Sequence, residues 1–390
     1  MMLKLQESTI GDCCEVVAGQ SPEGKYYNTD GKGMPFYQGK KDFGEKFLEK
    51  PSIWTTETPK VARKSDILMS VRAPVGPVNF ATQDVCIGRG LAAIRSRGML
   101  DVEFLFYQLL HLQPKISGKE GAVFPSINKS EIAALPIVVG PLSEQRRIVA
   151  ILDEAFEGID TAHVNAEKNL HNARALFENH LQSVFTERGE AWELRPLGQM
   201  ASFRNGINFT RTSEGRPIKI LGVKDFQKNY WAPLDELESI IPDGVVPDAD
   251  TLQRDDIVFV RSNGNPELIG RCLLIGDVRE KMTHSGFTIK ARLQTSEVLP
   301  TYLCHFLKSI RARREMIDGG NGANIKSLNQ GTLARIVVPF PSTADQLQIV
   351  RTLESIRDET ERLESLYQCK LAALDELKKS LLHKAFSGQL

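Results

Sequence analysis

Residues 144–152 read EQRRIVAIL, and residues 345–353 repeat the pattern as DQLQIVRTL. Each stretch follows a proline, Pro141 in the first case and Pro341 in the second. Each also begins a long segment without proline in which apolar residues recur every three or four positions, a spacing typical of an amphipathic helix. Two helices of roughly 40 residues, about 60 Å each at 1.5 Å per residue, are therefore predicted.

The first helix is predicted to begin near Ser143, with Glu144 in its first turn, where the helix dipole favours an anion. The second fits a capping box, with Thr343 as the N-cap and Gln346 three residues later. Both starts are followed at once by the apolar spacing, so the helices are expected to be continuous.

Several heptads of apolar residues argue for a coiled coil. Since a lone exposed stripe of this length would be insoluble, the two stripes are predicted to bury each other as an antiparallel pair. The alternative is that each helix packs on its own globular domain. The predicted seam positions are Ile148, Leu152, Ala155, Ile159, Ala162, Ala166, Leu170, Leu176, Phe177, Leu181 and Val184 in the first helix, and Ile349, Leu353, Ile356, Thr360, Leu363, Tyr367, Leu371, Leu374, Leu377 and Leu381 in the second.

The segments outside the helices are duplicated as well. DILMSVR at 66–72 resembles DIVFVR at 256–261, and LPIVV at 135–139 resembles ARIVV at 334–338. The offset between the copies grows from 187 at Gly11 and Gly198 to 201 at Ile148 and Ile349. Each copy thus has a strand-rich segment of varying length followed by a long helix.

These patterns predict an α+β fold with two β-rich domains separated by two long antiparallel helices that form a coiled coil, a pseudo-twofold internal repeat. The predicted boundaries are 1–142 for the first domain, 143–191 for the central helix, 192–341 for the second domain and 342–390 for the C-terminal helix.

Composition favours a soluble protein: 41% of the 390 residues are hydrophobic and 25% are charged. The longest nearly apolar stretch, Ile132 to Leu142, is too short to span a membrane. Gln6 and Glu7 stand where a signal peptide would be apolar, so a cytoplasmic location is expected. The six cysteines and seven histidines show no zinc-site spacing, and free, mostly buried thiols are expected.

Net charge is zero, but its distribution is uneven. The two predicted domains carry net charges of +2 and +3, whereas the two helical segments carry −4 and −1. This bias permits nucleic-acid binding without establishing it.

Catalytic signatures are missing from the sequence. GQSPEGKY at 19–26 has the spacing of a phosphate-binding loop but ends in Tyr26, where a Ser or Thr is needed, so it is interpreted as a surface turn. The glycine-rich run at 319–322 is interpreted as a flexible loop, although a phosphate contact stays open there. Asp255 and Asp256 are interpreted as turn or strand-edge residues.

Further motifs are SVRAPVG at 70–76, CIGRGLAAI at 86–94 and LPI at 135–137 in the first copy, the last leading through Pro141 to the Glu-Gln helix start. In the second copy they are VRSNG at 260–264, IGR at 269–271 and HSGF at 284–287. In these motifs the chain resembles the specificity subunits of type I restriction–modification systems. The doubled order of domain and long helix is the strongest element of the resemblance.

The resemblance implies that 1–142 and 192–341 are target-recognition domains, each reading one half of a split DNA site. It implies that the conserved helices set the spacer and dock two methylation subunits, which bind S-adenosylmethionine and methylate adenine N6. ATP- and Mg-dependent restriction subunits are possible further partners. The chain itself is expected to be non-catalytic and to hold no cofactor or metal.

Base edges are read mainly by Arg, Lys, Asn and Gln, while phosphates are contacted by the same cations. Residues of these types, with one histidine, lie in predicted loops beside the β-like runs and close to glycine. The candidates for DNA contact are Lys40, Lys41, Arg72, Arg89 and Lys119 in the first domain, and Arg204, Lys224, Arg261, Asn263, Arg271, His284 and Lys326 in the second. For each of them the alternative is a solvated or salt-bridged side chain.

Two other functions stay open on the sequence alone. A stand-alone DNA methyltransferase is disfavoured because its cofactor and target-base motifs are missing. A coiled-coil adaptor that never touches DNA is disfavoured because such a protein does not need two divergent β-rich domains.

Overall fold

The computed structural model describes residues 5–116, 126–187, 189, 191–210, 213–226, 229–318 and 327–390. The chain divides into two compact units. Unit 1 comprises residues 1–167 and 368–390, and unit 2 comprises residues 168–367. Each unit therefore contains one β-rich segment and a part of each long helix.

The β-rich segment of the first copy consists of short strands with three short helices. Its strands are β1 (Gln6–Thr9), β2 (Cys14–Ala18), β3 (Tyr27–Asn28), β4 (Met34–Tyr37), β5 (Trp54–Thr55), β6 (Val61–Ala62), β7 (Ile67–Ser70), β8 (Val78–Phe80), β9 (Val85–Ile87), β10 (Leu91–Ser96) and β11 (Pro136–Val139). Its helices are α1 (Ile10–Cys13), α2 (Val102–Leu112) and α3 (Lys129–Ala133), and the long helix α4 (Leu142–Thr186) follows.

The second copy has the same composition. Its strands are β12 (Glu193–Pro196), β13 (Ala201–Asn205), β14 (Ile218–Leu221), β15 (Glu238–Ile240), β16 (Ile257–Val260), β17 (Cys272–Leu274), β18 (Met282–His284), β19 (Thr288–Leu293) and β20 (Val337–Phe340). Its helices are α5 (Pro300–Lys308), α6 (Ile310–Asp318) and α7 (Gln330–Arg335), and the long helix α8 (Thr343–Phe386) follows.

The sheets repeat the same connectivity in both units. In unit 1 the strand order of the central sheet is β2-β10-β7-β8, and in unit 2 it is β13-β19-β16-β17, with antiparallel neighbours throughout. The first strand of each copy pairs with the last, β1 with β11 and β12 with β20. A parallel pair, β4 with β9 and β14 with β18, recurs in a second sheet. The predicted internal repeat is confirmed.

The core of each unit lies where the central sheet packs against a short helix and the long helices. All four residues of β7, and all four of β16, are buried, as expected for central strands covered on both faces. Ile148 and Leu152 of α4 lie in the main core of unit 1 together with Leu382. The alternative in which a helix packs on its own domain thus describes the start of α4 correctly.

The long helices also contact each other within each unit. In unit 1, Asp160 forms an ion pair with Lys378, and Arg147 Nη2 donates to the carbonyl of Leu390 at 2.9 Å, so the two helical parts run antiparallel. In unit 2, Arg174 Nε lies 3.1 Å from Glu364 Oε2. The predicted α+β fold with two long antiparallel helices is confirmed.

The seam follows a stricter heptad than the one predicted. Leu152, Ile159, Ala166 and Ala173 succeed one another at seven-residue intervals and are buried. Two predicted seam positions are wrong, because Leu176 is 48% exposed and Leu377 is 46% exposed. A spacing of three or four residues between apolar positions predicted them, but the buried positions at seven-residue intervals from Leu152 do not include Leu176.

A buried glutamine anchors the start of each long helix. Gln145 accepts from Asp101 N at 2.7 Å and donates to the carbonyls of Met99 and Gly140 at 3.0 and 2.8 Å. Gln346 in unit 2 repeats this pattern with Leu299, Glu297 and Pro341 as partners. Each glutamine side chain therefore satisfies three backbone groups and connects the helix to the loop before α2 or α5.

This arrangement corrects the predicted capping box of α8. Ser342, not Thr343, is the N-cap: its Oγ accepts from Asp345 N at 3.3 Å and donates to Asp345 Oδ2 at 2.7 Å. Gln346 faces the interior instead of the helix end, since it is fully buried.

Replacing Gln145 by Leu is expected to lower the free energy of unfolding of unit 1 by about 2–3 kcal/mol, because three backbone groups lose a buried partner. Urea unfolding followed by Trp54 fluorescence, with Trp192 and Trp231 replaced by Phe, measures the change in unit 1. The exposed Gln83→Leu is the matched control. A loss below 1 kcal/mol for Gln145→Leu would show that these hydrogen bonds do not hold the helix start.

The six cysteines are free; Cys369 is exposed and the other five are buried. Across the described ranges, no helix combines the length and the apolar character needed to cross a membrane.

Candidate nucleic-acid interface

In unit 1, a glycine-flanked turn at 88–90 joins β9 to β10 and carries the exposed side chain of Arg89. Two backbone hydrogen bonds to the segment at 37–38 fix the turn: Gly88 N donates to the carbonyl of Tyr37 at 2.8 Å, and Gly90 N donates to that of Gln38 at 3.1 Å. A Cβ at Gly90 would lie 2.3 Å from the Gln38 carbonyl oxygen, so only glycine allows this approach. Arg89 therefore projects from a rigid backbone.

Three further candidates lie around this turn. The segment that supports it continues from Gln38 into Lys40 and Lys41, whose side chains are both exposed. Arg72 follows Val71, whose amide donates to the Gly90 carbonyl at 2.9 Å, and the Arg72 side chain is exposed as well. The structure thus brings together four candidates, which form the unit 1 surface: Lys40, Lys41, Arg72 and Arg89.

In unit 2 the equivalent turn, 285–287, joins β18 to β19. Arg261 N donates to the carbonyl of Phe287 at 2.8 Å, as Val71 N does to Gly90 in unit 1. Arg261 Nη1 also donates to the carbonyl of Gly286 at 3.4 Å. Two loop residues away, Asn263 is half-buried and its Oδ1 accepts from Asn265 N at 2.8 Å.

Arg271 lies close to this turn. Gly270 N donates to the carbonyl of Val260, and Val260 N donates to the carbonyl of Arg271, both at 2.9 Å. These bonds place the backbone of Arg271 beside Val260, the last residue of β16, and Arg261 is the next residue in the chain. The candidates that the structure brings together here, with the turn itself, form the unit 2 surface: Arg261, Asn263, Arg271 and residues 285–287.

Two candidates of unit 2 are engaged elsewhere in ion pairs. Arg204 pairs with Asp250, and Lys224 pairs with Glu238; both cations are exposed at about half of the side chain. Neither lies in the turn at 285–287. Lys119, Lys326 and the glycine-rich run at 319–322 lie outside the described residues.

The structure corrects the prediction that His284 is a candidate for DNA contact. Its side chain is fully buried, and Nδ1 lies 3.0 Å from Thr288 Oγ1 at the base of the turn. Burial, together with the nearby charge of Lys290, lowers the pKa of His284 to about 3, so the ring is neutral. A neutral ring inside the unit shapes the turn and cannot reach a base edge.

Sequence reasoning missed the aromatic residues of this region. Phe287 is 60% exposed and Phe209 is 41% exposed. The signal for Phe287 was present, since a Ser-Gly pair between two β-like runs predicts a tight turn that displays the next side chain. The candidates for DNA contact include only polar and charged residue types, so they leave out Phe287.

The region that resembles a phosphate-binding loop is a turn. Gly24 to Tyr26 form a single 3₁₀ turn that leads into β3 and not into a helix. Gly19 N donates to Leu91 O at 2.9 Å, so the start of the region is tied to the central sheet. The arrangement lacks the helix N-terminus that binds phosphate in such loops.

Comparison with known proteins shows which family the chain is similar to. The family described as Type I restriction modification DNA specificity domain matches residues 2–170. A protein of Methanocaldococcus jannaschii with the provisional name type I restriction enzyme MjaX specificity subunit is 45% identical over 136 residues, 34% of this chain and 32% of that protein. The type I restriction enzyme EcoKI specificity subunit of Escherichia coli K12 is 25% identical over 292 residues, 69% of this chain and 61% of that protein.

The fold is shared along the whole chain. An HsdS subunit from Thermoanaerobacter tengcongensis aligns with a TM-score of 0.64 at 17% identity, over 99% of this chain and 97% of that one. A chain from a structure of the assembly and conformational transition of the type I R-M system aligns with a TM-score of 0.76 at 16% identity, over all of both chains.

The family match covers residues 2–170, and the relatives named above are specificity subunits of type I restriction enzymes. The chain is therefore similar to the specificity subunits of type I restriction–modification systems, and it shares the fold of a solved HsdS subunit. It spans about a third and three fifths of the two curated relatives described above, 32% and 61% of their lengths.

Proposed function

We propose that this chain is the DNA-sequence-recognition subunit of a type I restriction–modification complex and has no catalytic activity of its own. Residues 1–142 and 192–341 act as target-recognition domains 1 and 2, and each reads one half of a bipartite site. The observation that carries the proposal is the equivalence of the two surfaces, each built on a rigid turn beside the same pair of strands.

The chemistry of the surfaces fits double-stranded DNA. Lys40, Arg72 and Arg89 are exposed cations, and none of them forms a salt bridge with the described residues of unit 1. Their side chains are therefore available for phosphates or for guanine edges. Arg261 and Asn263 supply the corresponding donors in unit 2. Backbone hydrogen bonds fix the turns at 88–90 and 285–287, so little backbone ordering is needed for recognition.

The partners follow from the family. We infer that residues 143–191 and 342–390 dock two methylation subunits, which bring S-adenosylmethionine and methylate adenine N6 in the cytoplasm. Restriction subunits that use ATP and Mg are further partners of such complexes. The two helix starts, anchored in the same way by Gln145 and Gln346, support a fixed geometry for this docking.

The first test is to map N6-methyladenine across a genome after co-expressing this chain with the methylation subunit encoded beside it. A split motif that appears only when the chain is present is the expected result. Methylation without the chain, or binding of S-adenosylmethionine by the chain alone, would favour a stand-alone methyltransferase. A folded complex without any chain-dependent motif would favour the adaptor.

Replacing Arg72 and Arg89 together by Ala is expected to weaken binding to the mapped site about 100-fold, since one good base contact is worth roughly 1–3 kcal/mol. The half of the motif that unit 1 reads should become degenerate while the other half is retained. Lys32→Ala, at an exposed lysine paired with Asp30, is the matched control. Unchanged affinity and motif in the double variant would remove these arginines from the interface.

A further inference from the structure

Phe287 is a large apolar side chain displayed on a rigid turn. Its ring is 60% exposed, although burying such a ring would be favourable. Its backbone is tethered on both sides: the carbonyl accepts from Arg261 N at 2.8 Å and from Ser262 N at 3.3 Å, and its own amide donates to Ser285 Oγ at 3.3 Å. The chain thus fixes the backbone and leaves the ring in solvent.

The base of the turn is equally well fixed. Gly286 N donates to the Ile207 carbonyl at 2.7 Å, and Ile207 N donates to the His284 carbonyl at 2.9 Å. A Cβ at Gly286 would lie 2.0 Å from Asn208 Oδ1 and 3.3 Å from the Ile207 carbonyl oxygen, so the turn packs closely against the segment at 207–208. Thr288 Oγ1 donates to the Ser285 carbonyl at 2.6 Å and also contacts buried His284. The turn cannot fold back to bury the ring without breaking these bonds.

The two units differ at this point. In unit 1 the residue equivalent to Phe287 is Gly90, and the exposed side chain of the turn is Arg89. In unit 2 the preceding residue is Gly286, so the turn has no cation of its own. The scaffold is the same, but one turn displays a guanidinium and the other displays an aromatic ring.

The residues near the Phe287 ring indicate which kind of ligand it contacts. Arg261, Asn263 and Asn208 lie on the same turn or on the segments bonded to it, and these residue types bind phosphates and base edges. An apolar ring surrounded by such donors matches a stack of bases bordered by a phosphate backbone. A purely apolar protein partner would leave the donors without acceptors.

We propose that Phe287 inserts as a wedge at one base step of the half-site read by unit 2 and partly unstacks it, while Arg261 and Asn263 hold the adjoining backbone and base edge. This inference rests on the proposed function. Unstacking costs least at pyrimidine–purine steps, so unit 2 selects its half-site partly through deformability. Unit 1, with Arg89 in the equivalent turn, reads without a wedge.

The experiment uses the complex of this chain with its methylation subunits and duplexes carrying the mapped site. 2-Aminopurine replaces one purine at a time across the half-site of unit 2, and its fluorescence rises where a base loses its stacking partner. The adenine that is methylated is left unsubstituted, because a methyltransferase flips its target base out of the stack. For the wild-type complex we expect a rise at a single step, at a pyrimidine–purine position. Phe287→Ala should abolish the rise and weaken binding about 10- to 100-fold, while Phe287→Tyr should retain both.

Trp231→Ala is the matched control, because Trp231 is an aromatic residue of the same unit, 41% exposed, outside the turn. It should leave the fluorescence and the affinity unchanged. Specific binding by the wild type without a fluorescence rise at any step, and with Phe287→Ala unchanged, would overturn the wedge and leave the proposed function standing. A loss of assembly with the methylation subunits in Phe287→Ala would also overturn it, by assigning the ring to a protein contact. Failure of the wild-type complex to discriminate DNA sequences would refute the proposed function itself and be evident before any variant is made.

Discussion

Replacing Asp256 by Ala is expected to lower the free energy of unfolding of unit 2 by about 3–4 kcal/mol. Its carboxylate is fully buried and forms two 2.7 Å hydrogen bonds with the guanidinium of Arg292, one to Nε and one to Nη2. It also accepts from Gln253 N at 2.8 Å and so closes the turn before β16. Removing one partner of a buried pair leaves the other charge uncompensated, which is the costly case.

The carboxylate raises the pKa of Arg292 above its ordinary value through these hydrogen bonds. Without the carboxylate the guanidinium still stays charged, because the ordinary pKa of arginine is already far above neutral pH. Urea unfolding in a Trp54→Phe background, where Trp192 and Trp231 both belong to unit 2, measures the effect. Asp277→Ala is the control, since Asp277 and its partner Arg254 are both about 70% exposed and such pairs contribute little. A loss for Asp256→Ala no larger than that for Asp277→Ala would contradict the prediction.

Unit 2 is expected to lose about 4 kcal/mol of stability when the pH falls from 7 to 5. Two buried histidines are responsible. Burial lowers the pKa of His284 to about 3, with Lys290 acting in the same direction and Asp250 opposing it. Burial, together with the charges of Arg357 and Lys308, also lowers the pKa of His305 to about 3.

The sign follows from proton binding. Between pH 6.5, the ordinary value of a histidine, and about pH 3, the unfolded chain binds a proton at each position while the folded chain does not. Stability is therefore fully present above pH 6.5 and is lost as the pH falls, at up to about 1.4 kcal/mol per pH unit for each histidine. The exposed carboxylates Asp248 and Glu297 have lowered pKa values, below 3.8 and 4.5, so their contribution is lost at lower pH.

The free energy of unfolding of unit 2, measured at half-unit steps from pH 7.5 to 5, checks this prediction. His284→Asn and His305→Gln should each remove about half of the slope, whatever they do to stability at neutral pH. The double variant should be nearly flat over this range. A wild-type slope as shallow as that of the double variant would exclude these histidines as the cause.

Much of the architecture could be predicted because it rests on periodic patterns. The duplication, the order of β-rich segment and helix, and the helix starts after Pro141 and Pro341 are written in local sequence. The role of Gln145 and Gln346 was not visible, since a glutamine at the third or fourth position of a helix equally suits a cap. Only the tertiary structure shows that both side chains point into the core and bind loops about 45 residues away in sequence.

The candidate surfaces were predicted in part. Closeness to glycine correctly selected exposed residues such as Arg72 and Arg89, because glycine marks turns that project from a sheet. The same rule failed for His284, which is the last residue of β18, since sequence does not reveal which face of a strand points inward. Arg204 and Lys224 have acidic partners that are distant in sequence, and this pairing could not be anticipated.

The pairing of β1 with β11, and of β12 with β20, has a consequence for how such a chain can change its length. Each β-rich segment leaves and returns between two hydrogen-bonded strands, so residues added in between do not displace the first turn of the following helix. Lengthening a loop costs only its closure entropy, about 0.6 kcal/mol for each doubling. The 14-residue difference between the offsets of 187 and 201 is therefore accommodated inside the second β-rich segment. Further insertions there are expected to leave the structure outside that segment unchanged.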